Sequence, residues 1–254
     1  MRFTVTAESD VGTYKTTNQD SVAVRHAVIP NGEVLMAIVC DGLGGLDSGE
    51  LASTTVVKEF TTWFEKELPL ELESPDMEVM AAEWELKLKE LNQKIGEKAG
   101  VMHKSIGTTF TGALFLNDEL MFVHVGDSRI YHIGNEVTQI TEDQTYVNRE
   151  IKAGRMTPEQ AKVDKKRNVL LQCVGASKQI VPQSRILKVE KGTYLLCSDG
   201  FRHEFSGEEM LNSFSATALS SKMSMTAAVK KAIELIKRRK ERDNISAILI
   251  KVEY

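Results

Sequence analysis

Apolar positions along this chain follow two rhythms. Residues 2–8 and 21–29 alternate apolar and polar side chains, the period of a half-buried strand. Residues 34–40 are apolar without a break, the pattern of a strand covered on both faces. Pro30-Asn31-Gly32 supplies a turn between the last two. The three segments are expected to be neighbours in one sheet. Residues 48–68 change to a helical period, with Val56, Val57, Phe60, Phe64 and Leu68 on one face. Ser74-Pro75 reads as a cap followed by a first-turn proline. After it Met77, Met80, Ala81, Trp84, Leu88, Leu91 and Ile95 form a stripe that should fade between Gly96 and Gly100. Both stripes read as core-facing surfaces, with Trp63 and Trp84 as packing residues.

Strand patterns return in the middle of the chain. Segments 108–116 and 119–125 flank Asn117-Asp118, and segments 129–133 and 136–140 flank Gly134-Asn135. Successive hairpins imply antiparallel pairing. From 141 to 183 the pattern loosens around a helix start with a capping box, Thr157-Pro158-Glu159-Gln160, and a charged run at 162–168. A solvated excursion is the simpler reading, and a mobile flap touching a substrate protein is the alternative. Strands resume at 184–189 and 193–197. A short helix follows with Ser206 as cap and Glu209 in the box position. A C-terminal helix at 226–239 turns Ala228, Val229, Ala232, Ile233 and Ile236 inward, and 245–252 is the last strand. With no linker, repeat or low-complexity segment, residues 1–254 are expected to form one α+β domain, two packed sheets with helices outside.

Composition narrows the function classes. The chain has 254 residues, 42% of them hydrophobic and 27% charged, as in an ordinary folded soluble protein. Its 32 basic and 36 acidic residues give a net charge of −4, with no bulk attraction to nucleic acid or an anionic membrane. A basic run at 230–242 leaves nucleic-acid binding as an outlying reading, although cations at a helix C-terminus ordinarily just complement the helix dipole. Cys40, Cys173 and Cys197 show no metal-ligand spacing and read as free thiols in a reducing compartment. No apolar stretch approaches membrane-spanning length and residues 1–5 lack a signal-peptide core, so a cytoplasmic protein is expected.

Candidate chemistry sits where the buried strands end. Asp41-Gly42 closes 34–40, Asp127 follows 122–126, Asp199-Gly200 follows 194–198, Asp243-Asn244 precedes 245–252, and Asp20 introduces 21–29. Turn preference accounts for any one of them. Gathered in one cleft, they would repel one another unless a cation neutralised them. A donor set of oxygens without His or Cys suits Mg²⁺ or Mn²⁺ better than Zn²⁺. A pair of such ions suits phosphoester hydrolysis, because they lower the pKa of a shared water and stabilise charge on phosphoryl oxygens.

Taken in order, Asn18-Gln19-Asp20, Asp41-Gly42-Leu43-Gly44-Gly45, Gly49-Glu50-Leu51-Ala52-Ser53, Gly107-Thr108-Thr109, His124-Val125-Gly126-Asp127-Ser128-Arg129, Cys197-Ser198-Asp199-Gly200 and Asp243-Asn244 resemble the metal-dependent protein serine/threonine phosphatases of type 2C, the PPM family, in their compact bacterial form. The resemblance implies a four-layer α-β-β-α fold, a central antiparallel β-sandwich flanked by helices. It implies that Asp41 bridges two Mn²⁺ or Mg²⁺ ions, that the Gly42 carbonyl binds one of them, and that Asp199 and Asp243 hold the other. By the same resemblance Asp127 joins Asp199 at a third, weaker position, Asp20 supports the metal-bound waters, and 144–183 is a flap beside the active site.

The chain departs from the family pattern at several positions. Lys15 stands where an arginine usually binds phosphate, and loses the fork geometry while keeping the charge. Gln19 replaces an acidic residue, and Leu43 and Leu46 occupy positions where family members carry histidine or, at the first, methionine. Proton donation to the leaving alkoxide would then fall to water. His124 reads as structural. The expected activity is metal-dependent hydrolysis of phosphoserine and phosphothreonine on proteins by a metal-bridging water. The expected partners are phosphorylated proteins, a Ser/Thr protein kinase and its substrates among them, without nucleic acid or membrane, and the expected state is a monomer. The alternative is a pseudophosphatase, a binding module that keeps the fold and the ions.

Overall fold

The computed structural model describes residues 1–44, 49–103 and 105–253. The strands in chain order are β1 (Arg2–Asp10), β2 (Ser21–Ile29), β3 (Gly32–Cys40), β4 (Gly42–Gly44), β5 (Ile106–Thr108), β6 (Phe110–Leu116), β7 (Glu119–Val125), β8 (Arg129–Ile133), β9 (Val137–Gln139), β10 (Gln183–Lys188), β11 (Gly192–Cys197) and β12 (Ile245–Glu253). The helices are α1 (Gly49–Lys66), α2 (Leu68–Glu71), α3 (Met77–Val101), α4 (Tyr146–Lys152), α5 (Pro158–Val163), α6 (Asp199–His203), α7 (Gly207–Phe214) and α8 (Lys222–Arg238). One sheet runs β1-β12-β11-β8-β9 and the other β10-β7-β6-β3-β2, with β4 and β5 as a separate pair, and every pairing is antiparallel.

Strand β3 shows why the fold has four layers. Its Leu35, Ala37 and Val39 point between the sheets, among Phe115, Phe122, Leu196 and Ile248. Its Val34, Met36, Ile38 and Cys40 point the other way, under the aromatic residues of α1 and α3. Both faces are covered, so the run is apolar throughout. On the far side, Ile245, Ala247 and Leu249 of β12 meet α6, α7 and α8, while Ile248, Ile250 and Val252 face the inter-sheet core. The expected α-β-β-α sandwich is present. Trp63 and Trp84 stack edge to face at 5.2 Å inside it, as packing residues.

Several local expectations are corrected by longer-range contacts. β1 is not a neighbour of β2 and β3. It pairs along its whole length with β12, from Arg2 against Glu253 to Asp10 against Ile245. The chain then crosses between sheets over residues 11–20. The helix start expected at Ser48 lies outside the described residues. Near its other end, α1 stops at Lys66, because Pro69 cannot continue it, and Leu68 opens the short α2. The cap of α3 is Asp76, whose side chain accepts from the N–H groups of Glu78 and Val79, and not Ser74. α3 also continues through Gly96 and Gly100 to Val101. A Cβ on Gly96 would stand 3.1 Å from the Gly175 carbonyl, so this glycine serves a close backbone approach inside the helix. α8 begins at Lys222, capped by Ser221, earlier than the apolar stripe indicates. The capping boxes at Thr157 and Ser206 form as expected.

The segment after β9 is neither loose nor structureless. It contains α4 and α5, and is tied down at several points. Gln144 exchanges hydrogen bonds with the backbone of Gly126 at 2.8 Å, and Asn92 of α3 accepts from Gly175 N–H at 2.7 Å while donating to the Ser177 carbonyl at 3.0 Å.

Candidate active site

Strand register alone brings the aspartates to one end of the sandwich. Ser21 pairs with Cys40 and Val39 with Thr111, while Phe110 pairs with Val125. The neighbours of Asp20, Asp41 and Asp127 therefore lie side by side in one sheet. In the other sheet Cys197 pairs with Ala247, and Asp10 with Ile245, which places Asp199 and Asp243 at the matching end. Asp20 and Asp127 stand where the chain crosses between sheets, after β1 and after β7.

The scaffold around each one is specific. Asp41 N–H donates to Thr109 Oγ1 at 2.9 Å, and its carbonyl accepts from Thr108 Oγ1 and Thr109 N–H, both at 2.9 Å. Two threonines from the β5–β6 junction thus fix the backbone that carries the carboxylate. At Gly42 the chain passes the backbone of Gly49 so closely that a Cβ would stand 2.5 Å from its carbonyl oxygen. Gln19 is buried, its N–H donating to Asn244 Oδ1 at 2.9 Å and its carbonyl accepting from Ser53 Oγ at 2.6 Å. It holds the crossing loop in place for Asp20. Asp20 Oδ2 accepts from Ser198 Oγ at 2.9 Å, the residue before Asp199. Asp199 opens α6, where a Cβ on Gly200 would meet the Asn244 carbonyl at 2.2 Å. α6 and the entry to β12 are in backbone contact. Asp243 accepts from Asn244 N–H at 2.9 Å and faces Lys15 Nζ at 3.3 Å, both side chains being about 40% exposed.

The electrostatics of this end are unbalanced. Burial, then the fields of Asp199 and Asp243, push Asp20 up to about 7. Asp41 is raised well above the usual carboxylate range by burial, then by Asp20, Asp199, Asp243 and Asp127. Asp127 is also pushed up to about 7, by burial and by Asp199, with Arg202 only partly offsetting them. Asp20 Oδ1 and Asp199 Oδ1 are buried and have no hydrogen-bond partner. Unpaired buried carboxylate oxygens are costly, and a hard cation is the ligand that fits them. Among the described residues, no three His, Cys, Asp or Glu side chains close around a single point as a preformed cage.

Two basic side chains at the site carry no motif signal. Arg202 Nη2 lies 3.3 Å from Asp127 Oδ2 and 3.6 Å from Asp143 Oδ2. His203 stands between Asp199 Oδ2, at 3.7 Å, and Glu241 Oε2, at 3.5 Å. Burial pulls its pKa down, but the hydrogen bond with Glu241 and the field of Asp199 raise it above the ordinary value. The spacing from Asp199 to Arg202 and His203, three and four residues, is the signal that was available, since α6 puts all three on adjoining turns. Leu43 sits in β4 paired with Gly107, whereas Leu46 lies outside the described residues. His124 is buried, Nε2–H donating to the Gly126 carbonyl at 3.1 Å and Nδ1 accepting from Thr111 Oγ1 at 2.9 Å. Both ring nitrogens are satisfied within the fold.

A cleft of about 950 Å³ opens beside Asp243, between the α4–α5 segment and the chain from Arg202 to Glu204. Lys162, Arg167, Lys240 and Arg242 lie along it. Part of the basic run at 230–242 is engaged elsewhere: Lys237 pairs with Asp10 and Glu234, Arg239 with Glu209, and Lys230 with Glu8. No helix among the described residues is long and apolar enough to cross a membrane.

Comparison with known proteins agrees with this geometry. The family model described as protein phosphatase 2C matches residues 13–236. This chain belongs to the protein phosphatase 2C family. The protein phosphatase PhpP of Streptococcus pneumoniae is 34% identical over 207 residues, covering 80% of each chain. The serine/threonine phosphatase of S. agalactiae superposes with a TM-score of 0.87 at 25% identity, over 99% of this chain and 100% of that one. The catalytic domain of the serine/threonine phosphatase PstP, in complex with two manganese ions, gives a TM-score of 0.80 at 28% identity over 99% of both. Within the protein phosphatase 2C family, the chain falls among the bacterial PPM enzymes.

Proposed function

We propose that this protein is a metal-dependent phosphoric monoester hydrolase that removes phosphate from phosphoserine and phosphothreonine on proteins, opposing a Ser/Thr protein kinase. The observation that carries the proposal is the buried pair Asp20 and Asp41, raised by burial and by the neighbouring aspartates, with Asp20 Oδ1 and Asp199 Oδ1 left without a partner, in a member of the protein phosphatase 2C family. Asp41, the Gly42 carbonyl, Asp199 and Asp243 are proposed to hold two Mn²⁺ or Mg²⁺ ions, with Asp20 supporting them. Divalent ions at such a site supply an acidified water and neutralise phosphoryl oxygens. The protein's own part is to fix the donors. Thr108 and Thr109 lock the Asp41 backbone, Ser198 orients Asp20, and Asn244 ties the Gln19 loop to the entry of β12.

Lys15 is proposed to bind phosphate. It stands 3.3 Å from Asp243, on the rim of the same end, and is free to swing toward an anion because it is 43% exposed. Residues 1–254 are read as one catalytic unit, with 144–183 as the flap. The cleft between that flap and α6 is roomy enough for a peptide segment, and the basic side chains along it suit a phosphorylated one. Hydrolysis breaks the bond between phosphorus and the serine or threonine oxygen, and water supplies the new oxygen. The pseudophosphatase reading is less favoured, because the whole aspartate set is present at one end of the fold.

Purified protein with Mn²⁺ should hydrolyse p-nitrophenyl phosphate and a phosphothreonine peptide. Asp199→Asn should lower kcat by about 100-fold or more, the scale of removing an essential electrostatic group. Equal turnover in the presence of a chelator would overturn the metal dependence.

A further inference from the structure

The corner of the site around Asp127 differs from the rest in having a buried guanidinium against its carboxylate, where Asp243 meets the exposed Lys15 and Asp199 meets His203. Arg202 Nη2 faces Asp127 Oδ2 at 3.3 Å and Arg202 Nε faces the Asp127 carbonyl at 3.4 Å, so one guanidinium touches both the side chain and the backbone of the residue. The same Nη2 reaches Asp143 Oδ2 at 3.6 Å. Asp143 is in turn held by a fork from Arg129, with Nε to Oδ1 at 2.7 Å and Nη2 to Oδ2 at 2.6 Å. Two carboxylates therefore face two guanidiniums, and the formal charges cancel. The side chains of Arg202 and Asp127 are 12% and 8% exposed, so the carboxylate oxygen that an ion would take already faces a largely buried guanidinium. At the other corner Asp20 Oδ1 and Asp199 Oδ1 have no partner at all.

We infer that Arg202 takes the place of a third divalent ion at Asp127, so that this protein holds two ions where the family resemblance implies a weaker third. The inference rests on the two-ion reading proposed above. Helical spacing makes the arrangement economical, since Asp199 and Arg202 lie three residues apart on α6 and present a metal-facing carboxylate and a carboxylate-facing cation from one turn. A guanidinium is permanently charged and cannot be removed by chelation or dilution. It also couples Asp127 to Asp143 at the base of the flap segment, which a hydrated ion exchanging with solvent would do only when bound.

The test is the number of Mn²⁺ ions bound per chain, by equilibrium dialysis with metal analysis and by titration calorimetry. The wild-type protein should take up two. Arg202→Met keeps the apolar stem and removes the charge, and it should take up a third, weaker ion. Should Arg202→Met fail to fold, as judged by circular dichroism, Asp127→Asn gives the same discrimination. It should leave the count at two if Arg202 is the partner, and lower it from three to two if an ion is. Three ions on the wild type, or two on a folded Arg202→Met, overturn the inference while leaving the phosphatase reading intact. No Mn²⁺ binding together with no hydrolysis would instead remove the reading on which it rests.

Discussion

Two buried polar clusters lie only a few residues apart at the same end of the sandwich, and they differ in one respect. Around His124, both ring nitrogens have a partner. Thr111, the Gly126 carbonyl, Ser128 and Thr109 form a set of hydrogen bonds among neutral groups, which touches the other cluster only through the bond from Asp41 N–H to Thr109 Oγ1. Around Asp20, Asp41 and Asp199 like charges face one another, and two carboxylate oxygens lack any hydrogen-bond partner. A closed network is part of the fold, and rigidifies it. An open one of like charges weakens the fold until something binds. Burial and polarity are shared by both, so neither distinguishes a structural from a functional cluster. Satisfaction does.

The largest test of that contrast is Asp41→Asn. Activity should fall by about 100-fold or more, while the chelated protein should become more stable above neutral pH, because one of several repelling charges is gone. A gain of about 1–2 kcal/mol would raise Tm by roughly 3–6 °C in a chain of this size. The sign follows from linkage. Burial and the neighbouring aspartates push Asp20 up to about 7 from the ordinary 3.8, so the folded state binds more protons than the unfolded one between those values. Stability of the metal-free protein is therefore lost as pH rises through that window, and Mn²⁺ should raise Tm more at pH 8 than at pH 5. A chelated Asp41→Asn that melts below the wild type at pH 8 would break the comparison.

The closed cluster should behave in the opposite way. Thr111→Val leaves a buried ring nitrogen without its donor, and should cost about 1–3 kcal/mol in urea unfolding with kcat/KM changed less than about 2-fold. Burial holds His124 down to about 4 from the ordinary 6.5, so its contribution is complete above 6.5 and is lost as pH falls toward 4. Its full size is about 3 kcal/mol. A variant that loses activity and keeps stability would show that Thr111 acts in the reaction instead. The smallest effect is expected at the rim. Lys15→Arg restores a forked donor, and should lower KM for a phosphopeptide by about 2- to 5-fold with kcat and Tm little changed. An unchanged KM would separate Lys15 from phosphate binding.

Much of this was legible in the sequence, for identifiable reasons. The unbroken run of β3 and the stripes of α1 and α3 are written in residue period, which depends only on neighbours along the chain. The aspartates at strand ends were legible because motif order carried them. The loop tied to Asn244 was not, since it is the backbone of the buried Gln19, invisible in a side-chain pattern, that Asn244 and Ser53 hold. Arg202 and His203 were missed because their partners, Asp127, Asp143 and Glu241, are remote in sequence.

Sequence by itself determined which segments are strands and helices, where the buried strands stop, and that aspartates stand at those stops. Tertiary structure alone decided that β1 joins β12 rather than β2, that the crossing which follows carries Lys15 and Asp20 over the end of the sandwich, and that one aspartate of the set meets an arginine. Local period records burial, which a residue shares with its neighbours in the chain. Partnership is set by which distant surfaces complement each other, and two strands of equal apolar pattern remain interchangeable until the whole sheet is assembled.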